Sequence, residues 1–140
     1  MSKAANKIFL SYARADREPA RKLAHHLREA GFRVWDPDFE ILPGSDWTSA
    51  LKNALKTSKA LVVLISPDAI ESRSVSHEIE YALGAEHLRH RLIPVFLRPT
   101  KEAPWILQKL RPVRYENPTK TGQRIVELLK QLIDAVQPEG

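Results

Sequence analysis

The sequence contains no cysteine. Disulfides, thiolate metal sites and a cysteine nucleophile are therefore excluded, and the chain suits a reducing compartment. Glycine is scarce, with only five residues, at positions 31, 44, 84, 122 and 140. They form no GxGxxG, no GxxxxGK[ST] and no GxSxG, so the usual glycine-built phosphate cradles and the nucleophile elbow are missing. No apolar run approaches the roughly 18 residues of a membrane span. The opening MSKAANKIFL lacks the long apolar core of a secretion signal. The expectation from these absences is a cytoplasmic protein with no membrane contact.

The rest of the composition is that of a globular chain. At 140 residues, 43% hydrophobic and 28% charged, it is long enough to bury its own core. One domain is expected over 1–140, with its core at about 7–136. The net charge of +5 could draw nucleic acid, anionic lipid or a small anion. The basic residues Arg14, Arg17, Arg21, Lys22, Arg89, Arg91, Arg98, Arg111 and Arg114 are scattered without interleaved aromatics, which argues against a nucleic-acid partner.

Strand and helix patterns alternate. KIFLSY (7–12) reads as a short buried strand. Asp16 is placed to cap a helix whose apolar positions are Leu23, Leu27 and Ala30, with Gly31 as its stop. FRVW (32–35) reads as a second strand and DPDFEILPGSD (36–46) as a loop. A helix is expected over about 46–57. ALVVLI (60–65) has the continuous apolar character of a central strand covered on both faces. The next helix should run through SRSVSHEIEYAL to about Arg89. RLIPVFL (91–97) reads as a strand, which Pro94 marks as an edge or irregular one. Residues 98–118 read as irregular, with a helical turn around 105–110. A last helix over about 119–136 buries Ile125, Leu128, Leu129, Leu132 and Val136, and 137–140 looks like a linker.

This alternation predicts an α/β, flavodoxin-like three-layer sandwich: a central parallel sheet of about five strands with helices on both faces. Ligands of such sheets bind beyond the carboxyl ends of the strands, where the winding reverses, here between strands one and three. Ser11, Tyr12 and Arg14 would face that crevice from one side, and residues 66–68 from the other.

Several chemistries can be set aside. The first strand ends in Ser11-Tyr12, where a phospho-receiver needs acids. His77-Glu78 begins like a zincin motif, but Tyr81 stands where the second histidine should be, so no metal is expected. His25 and His26 are adjacent in a helix and cannot share a face. Trp35, Trp47 and Trp105 are expected mainly in the core.

Two carboxylates remain. Val75, Ile79, Ala82 and Leu83 define the buried face of their helix. At 100° per residue, Glu78 lies about 85° from its centre and Glu80 about 115° away on the other side. On this geometry neither is deeply buried; Glu78, at the border of the apolar stripe, is slightly favoured for chemistry, although a glutamate so placed is usually solvated.

KIFLSYARAD, GFRVWDPDFEILPGSDW and LVVLISPDAIESRSVSHEIEYAL, in this order and spacing, resemble a Toll/interleukin-1 receptor (TIR) domain of the bacterial type. The similarity is clear over about 7–97. It implies the flavodoxin-like fold and cleavage of the nicotinamide–ribose bond of NAD+ by a glutamate of the third helix. The product would be ADP-ribose or a cyclic isomer, with NAD+ as substrate and no cofactor. The match of His77-Glu78-Ile79 and Ala82-Leu83 to that helix selects Glu78 over Glu80. Ser11, Tyr12, Arg14, Asp36, Ile41, Trp47 and Ser74 are implied to line the substrate site. The BB loop, centred on Pro43 and Gly44, is implied to mediate TIR–TIR self-association, with a sensor or effector partner either fused or separate, as in antiphage defence. Ser74 departs from the pattern, since many NAD-cleaving relatives carry a stacking aromatic there. That departure keeps a non-enzymatic TIR interaction module as the alternative.

Overall fold

Five strands, β1 (Lys7–Ser11), β2 (Arg33–Trp35), β3 (Ala60–Ile65), β4 (Leu92–Phe96) and β5 (Val113–Arg114), form one parallel sheet in the order β2-β1-β3-β4-β5. The structure is a computed structural model that describes residues 6–135, with side chains to 133. Val136 and the expected linker at 137–140 lie outside the described residues, as do positions 1–5.

Alternation along the strands builds two separate cores. Ile8, Leu10, Val34, Ala60, Val62, Leu64, Ile93 and Val95 face one side. They meet Leu23, Ala24 and Leu27 of α1 (Arg17–Glu29) and Ile125, Leu128, Leu129 and Ile133 of α8 (Pro118–Ala135). Phe9, Trp35, Leu61, Val63, Ile65 and Leu92 face the other side. There they meet α3 (Trp47–Thr57), α4 (Pro67–Glu71), α5 (Arg73–Gly84), α6 (Glu86–Arg89) and α7 (Trp105–Gln108). Leu23 and Leu27 are fully buried, each stabilising the fold by about 1.5–3 kcal/mol relative to exposure. None of the described helices is long and apolar enough to cross a membrane.

Several local expectations are corrected. The 36–46 segment contains a helical turn, α2 (Pro37–Glu40), because Asp36 caps it by accepting from the Asp38 N–H while Pro37 occupies its first turn. The helix expected to reach Arg89 ends at Gly84, where Ala85 adopts an extended conformation, and α6 restarts at Glu86. The irregular stretch contains β5.

Pro94 sits in an interior strand, paired with Val63. Arg91 and Leu97 bond toward β3, through Arg91 C=O to Leu61 N–H and Leu97 N–H to Ile65 C=O, whereas the Phe96 C=O accepts from Tyr115 on the β5 side. By that parity the missing N–H of Pro94 points toward β5, which begins its pairing only at Val95. The proline therefore costs no ladder hydrogen bond.

Candidate active site

The strand order puts the reversal of winding between β1 and β3. Ser11, at the carboxyl end of β1, is fully buried and its hydroxyl donates to Glu78 Oε1 at 2.6 Å. Glu78 comes from α5, whose first turn is capped by Ser72 accepting from the Val75 N–H. The expectation that neither carboxylate is deeply buried fails for Glu78, which is only 4% exposed, and holds for the exposed Glu80. The border of the α5 apolar face is closed by the end of β1, a contact across 67 residues that helical geometry cannot foresee. Burial pushes the Glu78 carboxyl up to about 7, against the downward pull of the Ser11 hydroxyl. A carboxyl in that range changes charge near neutrality, the property required of a group that must respond to developing charge.

Tyr12 turns the other way and donates its phenol to Asp36 Oδ1 at 2.5 Å. Burial, then the Asp36 hydrogen bond and charge, hold the Tyr12 phenol well above its ordinary range. Asp36 is 1% exposed, and its second oxygen, Oδ2, is buried with no partner among the described residues. Such an acceptor is costly to leave empty.

The remaining expected site residues are more open. Arg14 is exposed in a 3-10 turn (Arg14–Asp16) after β1. Ser74 is exposed one turn before Glu78 on α5. Ile41 is half-buried against the second core. Pro43 and Gly44 are exposed, and Gly44 has φ +88°, a conformation that favours glycine. Trp35 is a core residue stacked on Phe9 at 5.0 Å. The core expectation fails for Trp47 and Trp105, which are 48% and 72% exposed. Trp47 opens α3 in the segment that also exposes Phe39 and Leu42.

One network was not foreseen. Asp16 occupies the cap position of α1, but its side chain caps nothing. Its Oδ2 accepts from Ser66 Oγ at 2.5 Å and its Oδ1 from Arg98 Nη2 at 3.3 Å. Ser66 in turn caps α4 by accepting from the Ala69 N–H. A buried carboxylate gains more from a guanidinium and a hydroxyl than from helix N–H groups that water can reach. The triad ties together the ends of β1, β3 and β4. Arg98 also borders a groove of about 870 Å3 with Lys101, Gln108, Arg114 and Tyr115, beyond the carboxyl ends of β4 and β5.

The family model described as "TIR domain" matches residues 8–130. The chain belongs to the TIR domain family. It is 29% identical over 132 residues to the 2' cyclic ADP-D-ribose synthase BtTIR of Bacteroides thetaiotaomicron, covering 89% of this chain and 45% of that protein. It is 28% identical over 133 residues to the NAD(+) hydrolase PdTIR of Paracoccus denitrificans, covering 90% of this chain and 44% of that protein. The chain thus spans less than half the length of these curated relatives. In fold, it resembles the TIR domain of the Toll-related receptor TRR-2 of Hydra magnipapillata, with a TM-score of 0.71, 22% identity and coverage of 89% of this chain and 96% of that one. The flavodoxin-like TIR architecture expected from the sequence is the one observed.

Proposed function

We propose that this TIR domain cleaves the nicotinamide–ribose bond of NAD+, with Glu78 as the catalytic carboxylate and no cofactor. The observation that carries this reading is the placement of Glu78. It is a buried carboxyl at the switch point of the sheet, oriented by Ser11 and poised near neutrality. Nicotinamide leaves as a neutral base while positive charge develops on the ribose. An ionised carboxylate beside that ring stabilises the charge and can accept from ribose hydroxyls. Water then gives ADP-ribose, and internal attack gives a cyclic isomer. The names of the curated relatives cover both outcomes.

Arg14, exposed beside the site, suits the pyrophosphate. The partnerless Oδ2 of Asp36 suits a substrate hydroxyl. Trp47, exposed at the edge of the BB loop, supplies an aromatic surface where Ser74 offers none.

Assembly belongs to the same proposal. Glu78 is closed off from solvent, so substrate must enter through a rearrangement of its surroundings. TIR–TIR contact through the BB loop would supply the energy for it. Around Pro43 and Gly44 this loop exposes Asp38, Glu40 and Asp46 together with Phe39, Leu42 and Trp47. The groove beside β4 and β5 offers Arg98, Lys101 and Arg114 between apolar walls. The two surfaces are complementary in charge and character, and contacts of this unlike kind extend into open assemblies. A sensor or effector partner, within an antiphage defence system, would trigger the assembly.

The test is nicotinamide release from NAD+ across a range of protein concentrations. Turnover per chain should rise steeply with concentration and vanish in Glu78→Ala. A flat, Glu78-independent background would contradict the proposal. Ser74 favours the second reading, a non-enzymatic interaction module. That reading predicts assembly sensitive to Pro43 and Gly44 substitution with no NAD+ loss at any concentration.

A further inference from the structure

The amino end of the sheet, opposite the Glu78 site, collects basic residues that are far apart in sequence. Lys7 and Arg33 begin β1 and β2 as direct partners in the register. Lys59 precedes β3 and donates its backbone N–H to the Lys7 C=O at 2.7 Å. The strand order makes them three adjacent positions, Arg33, Lys7 and Lys59. The pleat gives all three the same side, because Phe9, Trp35 and Leu61, each two residues further on, share the second core. Arg91, before β4, reaches across to donate from Nη1 to the Lys59 C=O at 3.3 Å.

None of these four cations is ion-paired among the described residues. The cluster therefore has no salt bridge to relieve it, and only the distant charge of Glu40 opposes it at Lys7. The Lys7 ammonium is held below its usual range by burial first and by Arg33 second, with the opposing pull of Glu40 the smallest of the three. An anion placed along the row would remove that repulsion.

We propose that this sheet end is a binding surface for the phosphate backbone of duplex nucleic acid. Strands spaced by 4.7–4.9 Å set Arg33, Lys7 and Lys59 across roughly 10 Å. One strand of B-DNA places a phosphate every 3.4 Å of axis, so the row and Arg91, which stems from the opposite face of the pleat at the same sheet end, together reach three to four phosphates through their flexible side chains. A lipid surface fits less well. Among the described residues the exposed large apolar side chains are Phe39, Leu42, Trp47 and Trp105, and none of these belongs to the segments that begin these strands. Contact would be with backbone alone and carry no base specificity.

The test is fluorescence anisotropy of a labelled 20-base-pair DNA duplex with the full chain at a series of salt concentrations. Three to four phosphate contacts predict a slope of log K against log salt of roughly −3. Lys7→Glu with Arg33→Glu should weaken binding at least tenfold at low salt and flatten the slope by about 2. Lys52→Glu with Lys109→Glu makes the same change in net charge at exposed positions elsewhere and should leave the slope intact. Should the reversal pair fail to fold by circular dichroism, Lys7→Gln with Arg33→Gln replaces it, with the same expected flattening. The proposal is overturned by absent binding at 50 mM salt, by equal loss in both double variants, or by binding to phosphatidylserine vesicles with none to DNA.

Discussion

Ser11 and Glu78, 67 residues apart, are joined by a 2.6 Å hydrogen bond at the carboxyl end of β1. The bond couples the rim of the sheet to α5. It also opposes the burial that keeps the Glu78 carboxyl protonated up to about 7. Ser11 is fully buried and contacts Glu78, so its role in the proposed site is to position the carboxylate.

Loss of that bond should move the pH profile. Ser11→Ala removes a donor that favours the ionised form, so the Glu78 carboxyl rises further. A hydrogen bond to a charged group is worth about 1.5–3 kcal/mol, which shifts the acid limb of kcat upward by roughly one to two pH units. Activity at pH 8 should fall less than activity at pH 6. A uniform loss at every pH would assign Ser11 a merely structural role.

Stability should carry the opposite signature. Glu78 titrates near 4.5 when exposed and at about 7 in the fold. Below pH 4.5 it is protonated in both states and adds no penalty. As pH rises toward 7 the unfolded chain ionises first, and the fold loses on the order of 3 kcal/mol, a loss complete above about pH 7. Glu78→Gln lacks this titration and should therefore be more stable than wild type at pH 8 but not at pH 4. Melting temperatures at the two pH values check it.

The α1–α8 contact is predicted to resist enlargement. A Cβ at Gly122 would lie 2.8 Å from His26 Cβ and 2.9 Å from its Cγ. These atoms are anchored near the α1 backbone and cannot swing away. Gly122→Ala gains up to about 1 kcal/mol in helix propensity but should lose about 1–3 kcal/mol to overpacking. A lower melting temperature is expected, and His26→Gly should relieve it. A rise in melting temperature in the single variant would remove the packing account.

Restoring an aromatic beside Glu78 should strengthen substrate binding. Ser74 is exposed on the same face of α5, one turn earlier. Base–aromatic stacking is worth about 1–3 kcal/mol, so Ser74→Trp should lower KM for NAD+ by roughly tenfold. Trp47→Ala should raise KM in the wild-type background. An unchanged KM in both variants would mean that neither side chain meets the nicotinamide.

Much of the fold was legible because its signals are local. The run of residues 60–65 marks β3, and Leu23 and Leu27 mark α1 at helical spacing. β5 was not legible: two residues pair only because Val95 and Phe96 are already in place. Pro94 misled because its effect depends on which neighbour its nitrogen faces. At the site, Glu78 and Ser11 were each singled out, but their contact and the burial it brings are long-range facts. Asp16 carried a local signal for helix capping that Ser66 and Arg98, from distant strands, override. Lys7, Arg33, Lys59 and Arg91 at the sheet's amino end are far apart in sequence, and only the strand order makes them neighbours.

The most direct measurement compares nicotinamide release from NAD+ by wild type and by Glu78→Gln at high protein concentration and pH 7.5. Glutamine keeps the size of the side chain and an oxygen to accept from Ser11, and lacks only the ionisable carboxyl. The account predicts robust release by wild type and at least about 100-fold less by the variant. Equal release by the two, or none by the assembled wild type, would contradict it.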